Sequence, residues 1–175
     1  MKLNCLLSGA FLVMASLPTA GPAAASVAPA ECSDPIAGVW HGRYHMPDYG
    51  DWHDFVLTIR RGDGGVLVGK IMVEFWDGDA TQADPPKVCR VHGHYTGTMT
   101  ARGSFAPDGH AVTFDGQDFA IDKILCGRKR GDISYSPDRF VGKLENGTLT
   151  LQNRDGWRDP TSNVRFSRTS CKARG

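Results

Sequence analysis

Histidines, aspartates, cysteines and aromatic residues in polar segments are the side chains of this 175-residue chain whose spacing could support chemistry. His41 and His45 are four apart, and His92 and His94 are two apart. Inside a strand, both spacings put the pair on one face, and His-x-His on a strand suits metal ligation. The neighbours argue otherwise. Trp40 and Tyr44 claim the interior face of their segment, which sends His41 and His45 outward. Val91 and Tyr95 do the same to His92 and His94. In a simple meander the two segments are not adjacent, so a four-histidine site fails on geometry. His92 and His94 remain the metal candidates, weighed against solvent-exposed strand histidines, and no metal or cofactor is expected.

Carboxylates offer a second chemistry. Asp48, Asp51 and Asp54 cluster in one polar stretch, and Asp77 and Asp79 in another. An acid–base pair needs one carboxyl in an apolar setting that raises its pKa, and solvated loop aspartates do not meet that need. Asp77-Gly78-Asp79 supplies too few oxygen ligands for a calcium loop. There is no Gly-x-Ser-x-Gly nucleophile elbow, so no catalytic residue is assigned. Aromatic residues carry the stronger signal. Tyr49 and Trp52 fall in one polar loop, Trp76 at a strand end and Trp157 in another loop. Large rings in polar segments pack on something, either a partner or sugar, or the ends of the domain's own core.

Several features place these residues in an exported domain. Lys2, the apolar run Leu6–Leu17 and the small residues up to Ala30 read as a signal peptide over residues 1–30, cleaved after Ala25 or Ala30. The apolar run is shorter than the roughly 20 residues that span a bilayer, so no membrane insertion is expected after cleavage. Residues 31–175 then form a single β-domain in the periplasm or outside the cell. The chain holds 20 Lys+Arg and 19 Asp+Glu, and loss of Lys2 leaves 19 of each. That balance argues against a nucleic-acid partner, which selects a concentrated basic field. The short run Arg128-Lys129-Arg130 reads as a solvated turn. Cys32, Cys89, Cys126 and Cys171 remain after cleavage, an even number that reads as two disulfides.

The elements that must hold these side chains are all β. No long apolar pattern of period 3.6 occurs, and turn signals recur about every ten residues. Strands are expected over Ile36–Met46, His53–Arg61, Val66–Trp76, Val88–Thr100, His110–Asp115, Gln117–Cys126, Arg139–Leu144, Thr148–Asn153 and Val164–Thr169, eight or nine in all. Gly62–Gly65 and Glu145-Asn146-Gly147 mark hairpins. The alternation fails near Lys123, which predicts a bulge or a strand end. The mixed outer face of Val66–Trp76 suggests that part of its outside is covered. Gly42, Gly69, Gly93, Gly97 and Gly142 lie inside strands, as strongly bent, closely approaching strands require. An antiparallel up-and-down barrel is favoured over a β-sandwich, since closure removes exposed edges. In such a barrel the first and last strands meet, which predicts Cys32–Cys171. Cys89 opens one strand and Cys126 ends one running the opposite way, which predicts Cys89–Cys126.

Gly38-Val39-Trp40 in the first strand resembles the Gly-x-Trp of the calycin group, the lipocalin and avidin-like barrels. The resemblance implies an eight-stranded barrel in which tryptophan plugs one end and the interior can hold a small ligand. Two function classes follow. One is a non-catalytic binding protein that takes a small apolar molecule inside, or a protein or glycan at Tyr49, Trp52, Trp76 and Trp157. The other is a secreted hydrolase using Asp48, Asp51, Asp54 and Asp77. Phe55, Phe75, Tyr95, Phe114, Phe119, Phe140 and Phe166 fill the expected interior with no inward charge, which favours binding.

Overall fold

The computed structural model describes residues 32–87, 93–127, 129–154 and 163–172. The expected signal peptide, Cys89, Val91, His92, Arg128 and Trp157 lie outside the described residues. Eight antiparallel strands close into a barrel in sequence order. They are β1 (Gly38–Met46), β2 (Asp51–Arg61), β3 (Leu67–Asp77), β4 (His94–Phe105), β5 (Ala111–Cys126), β6 (Arg139–Glu145), β7 (Thr148–Asn153) and β8 (Asn163–Ser170). The expected short strands around Gly116 are one long strand, β5, and that gives eight rather than nine. The register between β4 and β5 slips at three places, between His94 and Tyr95, Thr96 and Gly97, and Thr98 and Thr100. Those slips account for the lost alternation near Lys123.

Close backbone approach explains the strand glycines at two sites. A Cβ on Gly69 would collide with the Thr58 carbonyl of β2, and one on Gly142 with the Thr150 carbonyl of β7. The β6–β7 hairpin turns through Asn146 and Gly147, both at positive φ (49° and 74°), as a tight two-residue turn requires.

The two ends of the barrel differ. At one, the connections are short, and the segment before β1 folds across the opening. Trp40 is fully buried there, and its indole N–H donates to the Ile36 carbonyl at 2.9 Å. The Arg168 guanidinium lies over the Trp40 ring at 4.4 Å. Cys32 and Cys171 are disulfide-bonded, linking the entry to β1 with the exit of β8 across 139 residues of sequence. Cys126 is disulfide-bonded as well, while Cys89, its expected partner, lies outside the described residues. Above this plug the lumen is packed. Phe55, Phe140 and Phe166 are fully buried, and Phe140 meets the other two edge-to-face at 5.1 and 5.6 Å. At the opposite end the connections from β3 to β4 and from β5 to β6 are longer, and the segment before β6 reaches the candidate site there.

Asp34 ties the plug together. Its Oδ1 accepts the backbone N–H groups of Ile36 and Ala37, and its Oδ2 pairs with Arg61 Nε at 3.0 Å. Desolvation works to raise its pKa, but the Ala37 and Ile36 hydrogen bonds and then Arg61 outweigh it, so the carboxyl titrates below its ordinary value. A depressed carboxylate stabilises the fold above the unfolded-state pKa and loses that contribution as pH falls through the folded-state pKa. Asp34→Ala is therefore expected to cost about 1 kcal/mol at pH 7. In paired urea titrations the deficit should shrink once pH drops below the ordinary carboxylate value of about 4; a deficit independent of pH would contradict the account.

Candidate functional site

Strand parity sorts the candidate residues onto two faces. On β2, Phe55, Leu57 and Ile59 point inward, and the same period of two carries His53 and Asp51 into the lumen. This corrects the expectation of an interior without charge. Asp51 is 8% exposed and His53 7%. Asp51 Oδ1 and His53 Nε2 lie 3.3 Å apart. The contact lacks hydrogen-bond geometry, so Asp51 Oδ1 and both ring nitrogens of His53 are buried without a hydrogen-bond partner. Buried polar atoms without partners are uncommon and costly, and each needs a reason.

Rings surround this pair. Tyr44 stacks on His53 with centroids 5.0 Å apart, Phe75 meets His53 edge-on at 5.2 Å, and Tyr95 stacks on Phe75 at 4.8 Å. The far wall is built differently, because β5 pairs with β6 only from Ala111 to Asp115. Beyond that point the segment before β6 takes over, with Gly116 N–H donating to the Asp138 carbonyl at 2.7 Å. It carries Tyr135 toward His53, with centroids 6.4 Å apart. The Tyr135 hydroxyl donates to Asp138 Oδ2 at 2.8 Å, and Asn153 Nδ2 donates to Asp138 Oδ1 at 2.6 Å. Desolvation, followed by the charge of Asp138, raises the Tyr135 phenol well above its ordinary value. Outside the stacked Phe119 and Tyr135 rings, an open groove of about 610 Å³ is lined by Asp118, Ile121, Arg130 and Ile133.

The other candidates lie on the outer face of β1 to β4. His41, Arg43 and Asp54 form one ion-pair cluster, in which Arg43 Nε donates to Asp54 Oδ2 at 2.8 Å. Trp52 and Trp76 are neighbours in the β2–β3 register and stack at 6.2 Å. The chain after β3 roofs them. Trp52 Nε1 donates to the Asp79 carbonyl at 2.9 Å, Trp76 Nε1 to the Gln82 carbonyl at 3.3 Å, and His45 Nε2 to the Gly78 carbonyl at 2.9 Å. Arg43 reaches the Ala83 carbonyl and covers the Trp76 ring at 5.1 Å. Trp76 is thereby fully buried on the outer face, so its ring packs against the covering chain and presents no exposed surface. Tyr49 is half exposed at the β1–β2 turn and Trp52 is half-buried in β2.

His94 departs from the expected exposed histidine. It points outward, yet is only 9% exposed, because Glu74 holds its Nε2 at 2.6 Å and Trp76 abuts its ring. Among the described residues, no group of three or more His, Cys, Asp or Glu side chains is arranged to hold a metal ion. The four hydrolase aspartates are also divided. Asp48 is exposed in the β1–β2 turn, and Asp54 faces out while Asp51 faces in. Asp51 and Asp77 alone share a face, as direct partners in the β2–β3 register. His53 went unread in the sequence, although the Phe55–Leu57–Ile59 alternation extended two residues back would have placed it inside.

Two substitutions separate the roles of the faces. His53→Phe removes two unpartnered buried nitrogens among rings and should raise the unfolding free energy of the ligand-free protein by about 1 kcal/mol. Trp76→Ala should lower it by about 3–5 kcal/mol. Chemical denaturation measures both, and a His53→Phe protein less stable than wild type would mean that the imidazole serves the fold. Family models, curated proteins and solved structures give no match to this chain, so the site is read from its own geometry.

Proposed function

We propose that this chain is an exported, calycin-like binding protein without catalytic activity that takes a small molecule into the loop end of its barrel. One observation carries the reading: Asp51 and His53 are more than nine-tenths buried, point into the lumen, and have polar atoms with no hydrogen-bond partner among the described residues. A folded chain tolerates such atoms where a ligand completes them. The surroundings suit a molecule with an apolar body and a polar head, since Tyr44, Phe75 and Tyr95 supply flat surfaces beside the two polar groups. The Cys32–Cys171 bridge fits an oxidising, exported setting, and the fully buried Trp40 fits the resemblance carried by Gly38-Val39-Trp40.

A second reading, a hydrolase, has one observation in its favour: Asp51 and Asp77 oppose each other beside His53. The binding reading needs only that a molecule fill the space, and it accounts for the unpartnered atoms directly. The test is an NMR titration of the protein with a panel of small ring compounds: phenol, benzamide, benzylamine, imidazole and benzoate. At least one should shift the His53 and Tyr44 resonances saturably, with no turnover of p-nitrophenyl acetate. The reading fails if none shifts His53, or if ester turnover is found and Asp51→Asn abolishes it.

A further inference from the structure

Five buried side-chain atoms among the described residues have no hydrogen-bond partner, and three of them belong to one pair: Asp51 Oδ1, His53 Nδ1 and His53 Nε2. The other two have polar neighbours of their own. Asp115 Oδ1 lies 3.2 Å from Arg139 Nε, and Asn153 Oδ1 sits on an amide whose nitrogen donates to Asp138. The three atoms of the pair therefore define what a bound molecule must bring to this end of the lumen. As a carboxylate oxygen, Asp51 Oδ1 accepts and needs a donor. A neutral imidazole has one N–H, which needs an acceptor, and one bare nitrogen, which needs a donor. The complement of the pair is thus two donors and one acceptor. Protonation of the ring changes it to one donor and two acceptors, which one carbonyl oxygen with two lone pairs still provides. Asp51 Oδ1 and His53 Nε2 are 3.3 Å apart, so a single small head group can reach both.

Resting on the ligand-site reading above, we infer that the ligand is a neutral, flat molecule bearing a primary carboxamide, with that head held at Asp51 and His53. A primary carboxamide carries two N–H donors and one carbonyl acceptor, which is the inventory the pair lacks. Other heads fall short of it. An ammonium has donors alone and leaves the imidazole N–H unmet. A carboxylate has acceptors alone, leaves Asp51 Oδ1 unmet and faces a like charge. A hydroxyl has one donor and cannot serve both Asp51 Oδ1 and the bare ring nitrogen. Each buried group left unmet opposes binding by more than a made hydrogen bond favours it. An uncharged head also enters a ring-lined space without the desolvation cost of an ion. Tyr44 stacks on His53 with centroids 5.0 Å apart and Phe75 meets it edge-on at 5.2 Å, so flat surfaces adjoin the head and suit an aromatic body.

Probes that share a phenyl ring and differ in the head test this: benzamide, acetophenone, benzylamine and benzoate. Each is titrated into the purified protein at pH 7, and its dissociation constant is read from the His53 resonances by NMR. Benzamide should bind about tenfold more tightly than acetophenone, which keeps the acceptor and lacks both donors. It should also bind more tightly than benzylamine and benzoate. Asp51→Leu should cut the advantage of benzamide over acetophenone severalfold and leave acetophenone binding unchanged. If another probe matches or exceeds benzamide while shifting His53, the carboxamide assignment is overturned and the ligand site stands. If none of the probes shifts His53, both are overturned. A benzamide advantage that persists undiminished in a folded Asp51→Leu protein overturns the assignment too, because Asp51 then does not receive the head. Should that variant not fold, the wild-type ratio of benzamide to acetophenone decides.

Discussion

Pairing of β1 with β8 is the constraint on which the rest of the molecule depends. It joins Val39–Gly42 to Phe166–Ser170 and turns an open meander into a closed sheet. Closure leaves no edge strand to protect and gives every strand an inside and an outside. Gly42 makes the seam possible, because a Cβ there would press into the Phe166 ring. Trp40, Arg168, Asp34 and the Cys32–Cys171 bridge then lock the same seam from below. Cross-linking so distant a pair restricts the unfolded chain strongly in the entropy account.

A closed barrel with one plugged end divides its labour along its axis. The plugged half holds interlocking phenylalanines and aliphatic side chains, whose burial stabilises the fold. The loop half replaces them with Tyr44, Asp51, His53, Tyr95, Tyr135 and Asp138. Removing two hydrogen-bonding groups from water without partners opposes folding, and the packed half must offset it. Polar groups held ready in a rigid wall, at some expense of stability, are the arrangement expected of a recognition site.

The outer face has a separate logic. Arg43, Asp54, Trp52 and Trp76 form a small second core outside the sheet, closed by the chain after β3, whose carbonyls accept hydrogen bonds from Trp52, Trp76, His45 and Arg43. The Trp76 indole N–H could not be buried there without the Gln82 carbonyl. This cluster fixes the ends of β2 and β3, the strands that carry His53 and Phe75 into the lumen.

Much of the fold was legible in the residues. Alternation, turn chemistry and strand glycines specify an all-β chain with hairpin connections, and parity correctly separated Trp40 and Tyr44 from His41 and His45. The first and last strands of a meander meet on closure, which made Cys32–Cys171 readable. Parity also held the inward positions of Asp51 and His53, hidden because a polar residue at a strand start looks like loop. The mixed outer face of Val66–Trp76 signalled that part of it is covered, but which segment covers Trp76, and that His94 is buried beside it, depends on where the chain after β3 folds back. The sequence by itself determined which side of each strand a residue takes, because that follows from a backbone period of two. The tertiary structure alone decided which of those sides are covered and which polar atoms lack a partner, because both depend on segments far apart in the chain.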